Sequence, residues 1–433
     1  MGLIKSELSI VTLKELLKLN LAIPEYQRPY RWEVTSSNTL FMDTYEAYQQ
    51  GLGEYRIGSV ILHKKDGVYH IVDGQQRLTT LIIFLFCLGE SNNSLLNEQY
   101  SIFSTKAVVN NMKLFRRKMT ELQLKGSEYK SYLLNHCSAV KIVTDDEQEA
   151  FQFFDSQNSR GKELAPHDLL KSYHLREMNT ADESSKINII NKWENKNQLK
   201  LEKLFESYLY PITQWHQGND GVDYSSKKIK TFKGVKNNHI YNYAIYHKAS
   251  NLHIEQLNSN GTAELLSIKP LNQFQLTQPV ITGKRFFEYT LHYAHLLKRI
   301  QKRIKDFHKN VDEIPNKQSG DMYIKQLYEK ALMFFADRFG EAEITDMVLN
   351  QMYTWCYSFR LVMKAVYVES TNKYAIGRHS RLNEGIDLFT RISKMNEPEE
   401  FNLLIFERID ETKVANKEKY SKVWERLKVI NGW

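Results

Sequence analysis

The first third of the chain mixes alternating and helical hydrophobic patterns, and the rest is dominated by helical spacing. Residues 56–63 and 68–72 carry the apolar, β-branched pattern of strands, and Lys65-Asp66-Gly67 between them is a hairpin signal. A short helix is expected near residues 11–19. It leads into an extended segment at 23–28, which Pro24 and Pro29 keep out of a helix. Residues 37–49 read as a helix ended by Gly51 and Gly53, and the apolar run 75–88 as another. Residues 147–156 also read as helical. A turn at 158–161 follows, then a helix over 166–176 with Pro166 at its first position.

The polar stretch 177–185 marks a boundary. The expected organisation is α+β, with a mixed α/β domain over 1–178 and a mostly helical domain over 179–433. In the second, Phe286, Tyr289, Tyr293, Leu296, Ile300 and Ile304 step by three and four. So do Ile324, Leu327, Ala331, Phe334 and Phe335, and then Met352, Trp355, Cys356, Phe359, Val362, Met363 and Val366. These stripes predict amphipathic helices whose apolar faces need one another. Their aromatics read as core before they read as a base-stacking platform. Residues 218–236 contain Gly218, Gly221 and Gly234 and read as a mobile loop.

The densest chemistry lies at Ile71-Val72-Asp73-Gly74-Gln75-Gln76-Arg77-Leu78-Thr79-Thr80-Leu81. A strand feeding a glycine turn and a helix N-terminus presents free N–H groups and a positive dipole end, which suits phosphate. The run is neither a G-x-x-x-x-G-K-[ST] loop nor a G-x-G-x-x-G fingerprint. Arg77 could neutralise phosphate oxygens. Asp73 could hold a hydrated Mg²⁺ or orient a water. The competing reading is a polar connecting turn in which Arg77 pairs with Asp73 while Gln75 and Gln76 cap the helix.

Two other segments bear on that choice. Upstream is Ile23-Pro24-Glu25-Tyr26-Gln27-Arg28-Pro29-Tyr30-Arg31-Trp32-Glu33; downstream is Phe154-Asp155-Ser156-Gln157-Asn158-Ser159-Arg160-Gly161-Lys162-Glu163-Leu164, then Asp168-Leu169-Leu170-Lys171. Together the three resemble, in family order, the N-terminal NTPase module of GmrSD-type modification-dependent restriction proteins. That module looks like a ParB/sulfiredoxin-like nucleotide-binding fold with a helical extension. The stretch 274–279, continuing through 283–289, resembles the family's helical part.

The resemblance implies a nucleotide pocket in which Asp73, Gln75, Gln76 and Arg77 are catalytic. Gln27, Arg28, Gly74, Thr79, Asn158, Arg160 and Lys171 would line it, and Asp73 would be the metal partner. Thr79 and Thr80 could equally cap or pack within the helix, Trp32 reads as core, and Lys171 could be a solvated residue. Fused members of the family carry a C-terminal HNH-type nuclease. This chain has no His-x-x-Pro, and His292 and His295 lack a neighbouring carboxylate motif, so intrinsic DNA cleavage is not expected.

Composition changes the picture in three ways. Apolar residues at 42% and charged residues at 25% describe a folded chain, and no run of apolar residues is long enough for a membrane helix. Cys87, Cys137 and Cys356 are unclustered, which favours a reducing compartment, the cytoplasm, over disulfides or zinc. The net charge of +8 favours polyanionic partners. Its local excess lies at Lys227, Lys228, Lys230, Lys233 and Lys236 and on a helix at Lys298, Arg299, Lys302, Arg303 and Lys305. Lys228, Lys230 and Lys233 are the DNA-binding candidates, through phosphates and without sequence readout; the basic helix reads as a solvated face.

The expected function is a subunit of a DNA-targeting defence system that binds and hydrolyses a nucleoside triphosphate with Mg²⁺ and works with a separate nuclease. The alternative is a nucleotide-sensing DNA-binding or adaptor protein without turnover.

Overall fold

A computed structural model of the chain describes residues 8–24, 27, 30–91, 93–97, 102–145, 149–150, 165–178, 183–194, 196–236, 241–259, 271–308, 311–415 and 417–433. The architecture is α+β: one mixed sheet with its helices, then a predominantly helical region. Contacts divide the chain into a first unit of 1–164 with 182–194 and a second of 165–181 with 195–433. The division therefore falls before the helix at 166–176, where the polar stretch after it suggested 178. No helix of the described residues is long and apolar enough to cross a membrane.

The first unit is built on five strands in the order β1-β5-β3-β4-β2. They span Leu8–Thr12 (β1), Leu21–Ala22 (β2), Tyr55–Lys65 (β3), Val68–Asp73 (β4) and Cys137–Thr144 (β5). β3 pairs antiparallel with β4 and parallel with β5. The β3–β4 hairpin closes as expected: Asp66 (φ +49°) and Gly67 (φ +78°) both take positive φ, as the tight turn that matches strand twist requires. Helices α1 (Leu13–Leu17), α2 (Val34–Gln49), α3 (Gln75–Cys87), α4 (Ile102–Glu121) and α5 (Gly126–His136) accompany the sheet. Leu62, Ile71, Leu78, Leu81, Phe84, Phe41, Phe115 and Tyr129 share one buried core. Strand alternation sends Ile61, Val72 and Ile142 into a smaller cluster with Ala150.

One element differs from its sequence reading. Val11 is not helical but pairs with Ala139 in β1. Helix α1 starts two residues later because Thr12 caps it: the Glu15 amide donates to Thr12 Oγ1 (3.2 Å) and the Thr12 amide to Glu15 Oε2 (2.8 Å). The expected helix at 147–156 lies largely outside the described residues.

In the second unit the stripes of the helices Lys284–Phe307, Ser319–Phe339 and Asp346–Val362 are buried as the periodicity predicts; Tyr293, Ile324, Phe334, Trp355 and Phe359 have almost no exposure. Their core also holds charge. Arg360 Nε donates to Asp321 Oδ1 at 2.8 Å, and Tyr420 Oη donates to the same oxygen at 2.8 Å. A buried ion pair of this kind must be fully hydrogen-bonded to be tolerated.

Residues 218–236 do not form the loose loop that their glycines suggested. Ser226–Lys228 and Lys230–Lys233 are helical turns, and Phe232 and Val235 are buried. Gly234 takes φ +69°, and a Cβ there would lie 2.0 Å from the Val280 carbonyl oxygen, so glycine is required on both counts. A buried aromatic and a close backbone approach hold the segment down.

Candidate functional site

Helix α3 begins directly after β4. Its N-cap, Gly74, takes φ +93°, and a Cβ there would come within 3.3 Å of the Ser59 carbonyl oxygen, so glycine is what lets the chain turn against β3. Its N-cap glycine has no side chain with which to cap this thirteen-residue helix. Its first-turn amides and dipole end meet at Gly74 beside the Asp73 carboxylate, whose side chain is 23% exposed.

Arg77 folds back onto the sheet. Nη1 donates to the Ile57 carbonyl (2.7 Å) and Nη2 to the Ser59 carbonyl (2.8 Å). Nη2 also lies 3.5 Å from Asp73 Oδ2, a long ion pair. Both carbonyls lie in the stretch where the β3–β5 register shifts, between Arg56 and Ser59. Two carbonyls engage the guanidinium that the sequence offered to phosphate, and the Asp73–Arg77 pairing of the competing reading is present.

The two glutamines are equally occupied. Gln75 and Gln76 are buried; Gln76 Oε1 accepts the Arg31 amide (2.9 Å), and Gln76 Nε2 donates to Gln75 Oε1 (3.2 Å). Gln27 Nε2 donates to the carbonyls of Val72 (2.7 Å) and Ile71 (3.1 Å). Thus two segments more than forty residues apart are stitched together at the end of β4.

Tyr30 extends the seam inward. Its hydroxyl, 1% exposed, contacts Thr80 Oγ1 (2.8 Å) and accepts from Asn111 Nδ2 (2.8 Å); burial raises its pKa. Asn111 Nδ2 also donates to the Trp32 carbonyl (2.8 Å), and Trp32 packs on the core as expected. Thr79 is fully buried, with no hydrogen-bond partner for its hydroxyl among the described residues. Its side chain is buried within the first unit.

Sequence reasoning missed Asn111 and Gly58, whose missing Cβ leaves room for the Arg77 guanidinium. The signals were a lone Asn on the buried face of an amphipathic helix and a glycine inside a strand. Arg28, Asn158 and Arg160 lie outside the described residues. Lys171 lies on the helix Pro166–Arg176 in the second unit, where it is buried and not solvated.

The lysine candidates are partly committed. Lys228 Nζ donates to the Val222 carbonyl (2.8 Å) and sits 5.6 Å from the Tyr210 ring centre; Lys233 Nζ sits 5.0 Å from that of Tyr173. Lys230 is exposed. On the basic helix, Arg299 pairs with Glu341 at 2.7 Å and Arg303 with Asp346 at 3.4 Å, as on a solvated face.

As to metal, no group of three or more His, Cys, Asp or Glu side chains gathers among the described residues. Asp73 alone fits a Mg²⁺ that arrives on a substrate phosphate, since such an ion keeps its waters and takes one or two carboxylates.

Residues 13–175 match the family model described as GmrSD restriction endonuclease, N-terminal domain. Residues 185–422 match that of a family of unknown function, DUF7834. No curated protein matches the chain.

Proposed function

Because the chain belongs to the family of unknown function DUF7834 and carries the N-terminal domain of a GmrSD restriction endonuclease, we propose that it is the nucleoside-triphosphate-binding and hydrolysing subunit of a DNA-targeting defence system. The observation that supports this best is the N-terminus of α3, which opens on the tight Gly74 turn beside Asp73. Backbone amides at Gly74 and Gln75 would take phosphate oxygens. The dipole end adds about 0.3–1 kcal/mol for an anion at such a position.

Asp73 would hold Mg²⁺ carried by the substrate, and that ion would offset charge on the phosphates. A water would attack the terminal phosphorus, breaking its bond to the bridging oxygen and releasing the nucleoside diphosphate and inorganic phosphate. Arg77, Gln76 and Gln27 serve here as positioning residues: they fix the turn against β3 and β4 and do not touch the substrate. Hydrolysis would gate DNA engagement, with Lys230 and Lys233 contacting phosphates, and a separate nuclease would do the cutting.

One observation favours the second reading, a nucleotide sensor without turnover. Gln75, Gln76 and Arg77 are all engaged within the protein, which leaves Asp73 as the one partly exposed ionisable group of the turn without a hydrogen bond to the strand. Phosphate release by the purified chain from each of the four triphosphates, with and without Mg²⁺ and DNA, separates the two. Release that needs Mg²⁺ and Asp73 supports the enzyme; nucleotide binding without release supports the sensor.

A further inference from the structure

The helical unit contains a cavity of about 260 Å³ that has no part in the site above. Its walls are the π-helical turn Phe205–Leu209, the segment 221–224 and the helices Ser319–Phe339 and Val368–Ala375. A π-turn inserts an extra residue into a helix and recurs at functional sites.

The walls are closely built. A Cβ at Gly221 would lie 2.7 Å from Pro211 Cα and 2.8 Å from Trp215 Nε1, so only glycine fits. Asn372 ties this wall together. Its Oδ1 accepts from Trp215 Nε1 (2.7 Å) and from the Gly221 amide (2.8 Å), while its Nδ2 donates to Asp220 Oδ1 (2.7 Å). Next to it, Asp223 holds φ +57°, a conformation that residues with a Cβ adopt at a cost.

Two polar groups of the lining lack partners. Lys330 is 6% exposed, and its Nζ sits 4.6 Å from the Trp215 ring centre with no hydrogen-bond acceptor among the described residues. Tyr224 Oη is buried and likewise without a partner among them. The adjacent carboxylate, Glu329, accepts the Tyr208 hydroxyl at 2.5 Å and acts on Lys330 through its charge, which offsets only part of the cost of burial. An ammonium offers three donors and no acceptor. A ring face offsets part of its desolvation, but a buried cation without an acceptor is otherwise costly. Burial pushes Lys330 down to about 7, which is the same demand seen as acidity.

Donors turned to one cavity call for an oxyanion. The rim carries the exposed carboxylates Glu206 and Asp223, which disfavour polyanions such as nucleic acid or a triphosphate. The volume suits a small molecule and not a polymer.

We propose that the helical unit binds a small oxyanion ligand, a carboxylate or a phosphate monoester, in this cavity, with Lys330 Nζ and Tyr224 Oη as its anion contacts. The probes are sodium acetate and inorganic phosphate, titrated into the full chain at pH 7 with sodium chloride at matched ionic strength as control, and read by NMR or calorimetry. Saturable binding of one of the two is expected, and which one saturates distinguishes the sources.

Lys330→Met should weaken that binding at least tenfold and Tyr224→Phe severalfold, and the wild-type Lys330 amine should be protected from acetic anhydride at saturation. The Met variant removes a buried charge without emptying the space, so it should fold. If it does not, Tyr224→Phe and the acylation footprint still decide. Saturation by neither probe, or binding that leaves the reactivity of Lys330 unchanged, would overturn the proposal.

Discussion

Gly58 leaves the space that the Arg77 guanidinium fills: a Cβ at position 58 would lie 1.9 Å from Arg77 Nη1. Gly58 also takes φ +107°, within the stretch where β3 shifts register against β5. A strand irregularity, two of its carbonyls and a helix-borne arginine are therefore one device, which ties the start of α3 to β3.

Gly58→Ala and Arg77→Ala should both destabilise the first unit, Gly58→Ala the more because alanine is also strained at φ +107°. Either change strips the Ile57 and Ser59 carbonyls of their charged donor, at a cost of about 2–3 kcal/mol of stability. Arg77→Lys should not restore it, because one ammonium cannot reach two carbonyls as a planar fork does. Chemical denaturation of the three variants is the check. An Arg77→Ala protein as stable as wild type would show that the clamp has little weight.

His174 should make the helical unit acid-sensitive. Its Nδ1 accepts the Gly283 amide (3.2 Å), so its Nε2–H donates to the Phe232 carbonyl (2.9 Å), and its ring stacks on Phe286. Burial pushes its pKa down to about 3. The unfolded chain takes up a proton near pH 6.5 and the folded one does not, so stability present above 6.5 is lost as pH falls. The loss is at most about 1.4 kcal/mol per pH unit. Thermal melts between pH 7 and 4 should show a shallower acid slope for His174→Gln than for wild type; parallel slopes would refute the assignment.

Asp337 should act in the opposite direction. It accepts from Tyr293 Oη (2.5 Å) and the Leu276 amide (2.8 Å), and burial pushes it up to about 7. A raised carboxyl contributes stability that is present below about pH 3.8 and is lost as pH rises through 7. Asp337→Asn keeps an acceptor and removes the charge, so it should melt higher than wild type at pH 8 and near it at pH 4. An Asn variant less stable than wild type at pH 8 would contradict this.

The lysine segment makes a narrower prediction than its composition suggested. Lys228 is spent on the Val222 carbonyl, so DNA contacts fall to Lys230 and Lys233. Replacing both by Gln should flatten the dependence of log K on log salt by up to about 1.8, at about 0.9 per phosphate contact. An unaltered slope would mean that the segment is only surface.

Much of this fold was legible. The hairpin around Asp66-Gly67, the helix after Gly74 and the buried stripes through Tyr293, Phe334 and Trp355 follow from turn chemistry and period. What stayed hidden is partner choice. Arg77 has the same five donors whether it meets phosphate or carbonyls, and only the irregular β3 decides. Strand β1 was hidden because Leu13, Leu16 and Leu17 step as a helix and Thr12 alone marks where that helix begins. The packing of residues 218–236 was masked because glycine marks close approach as readily as mobility, as Gly221 and Gly234 show.

The central claim is that the α3 N-terminus with Asp73 binds a nucleoside triphosphate with Mg²⁺. The most direct measurement is calorimetric binding of a slowly hydrolysed analogue of each of the four triphosphates to wild type and Asp73→Asn, with and without Mg²⁺. The Asp73–Arg77 pair is long at 3.5 Å, so the Asn variant should stay folded. The account predicts Mg²⁺-dependent binding of at least one analogue, weakened at least tenfold in Asp73→Asn at an unchanged melting temperature. Binding of none of the four, or affinity that survives the loss of the Asp73 charge, would contradict it.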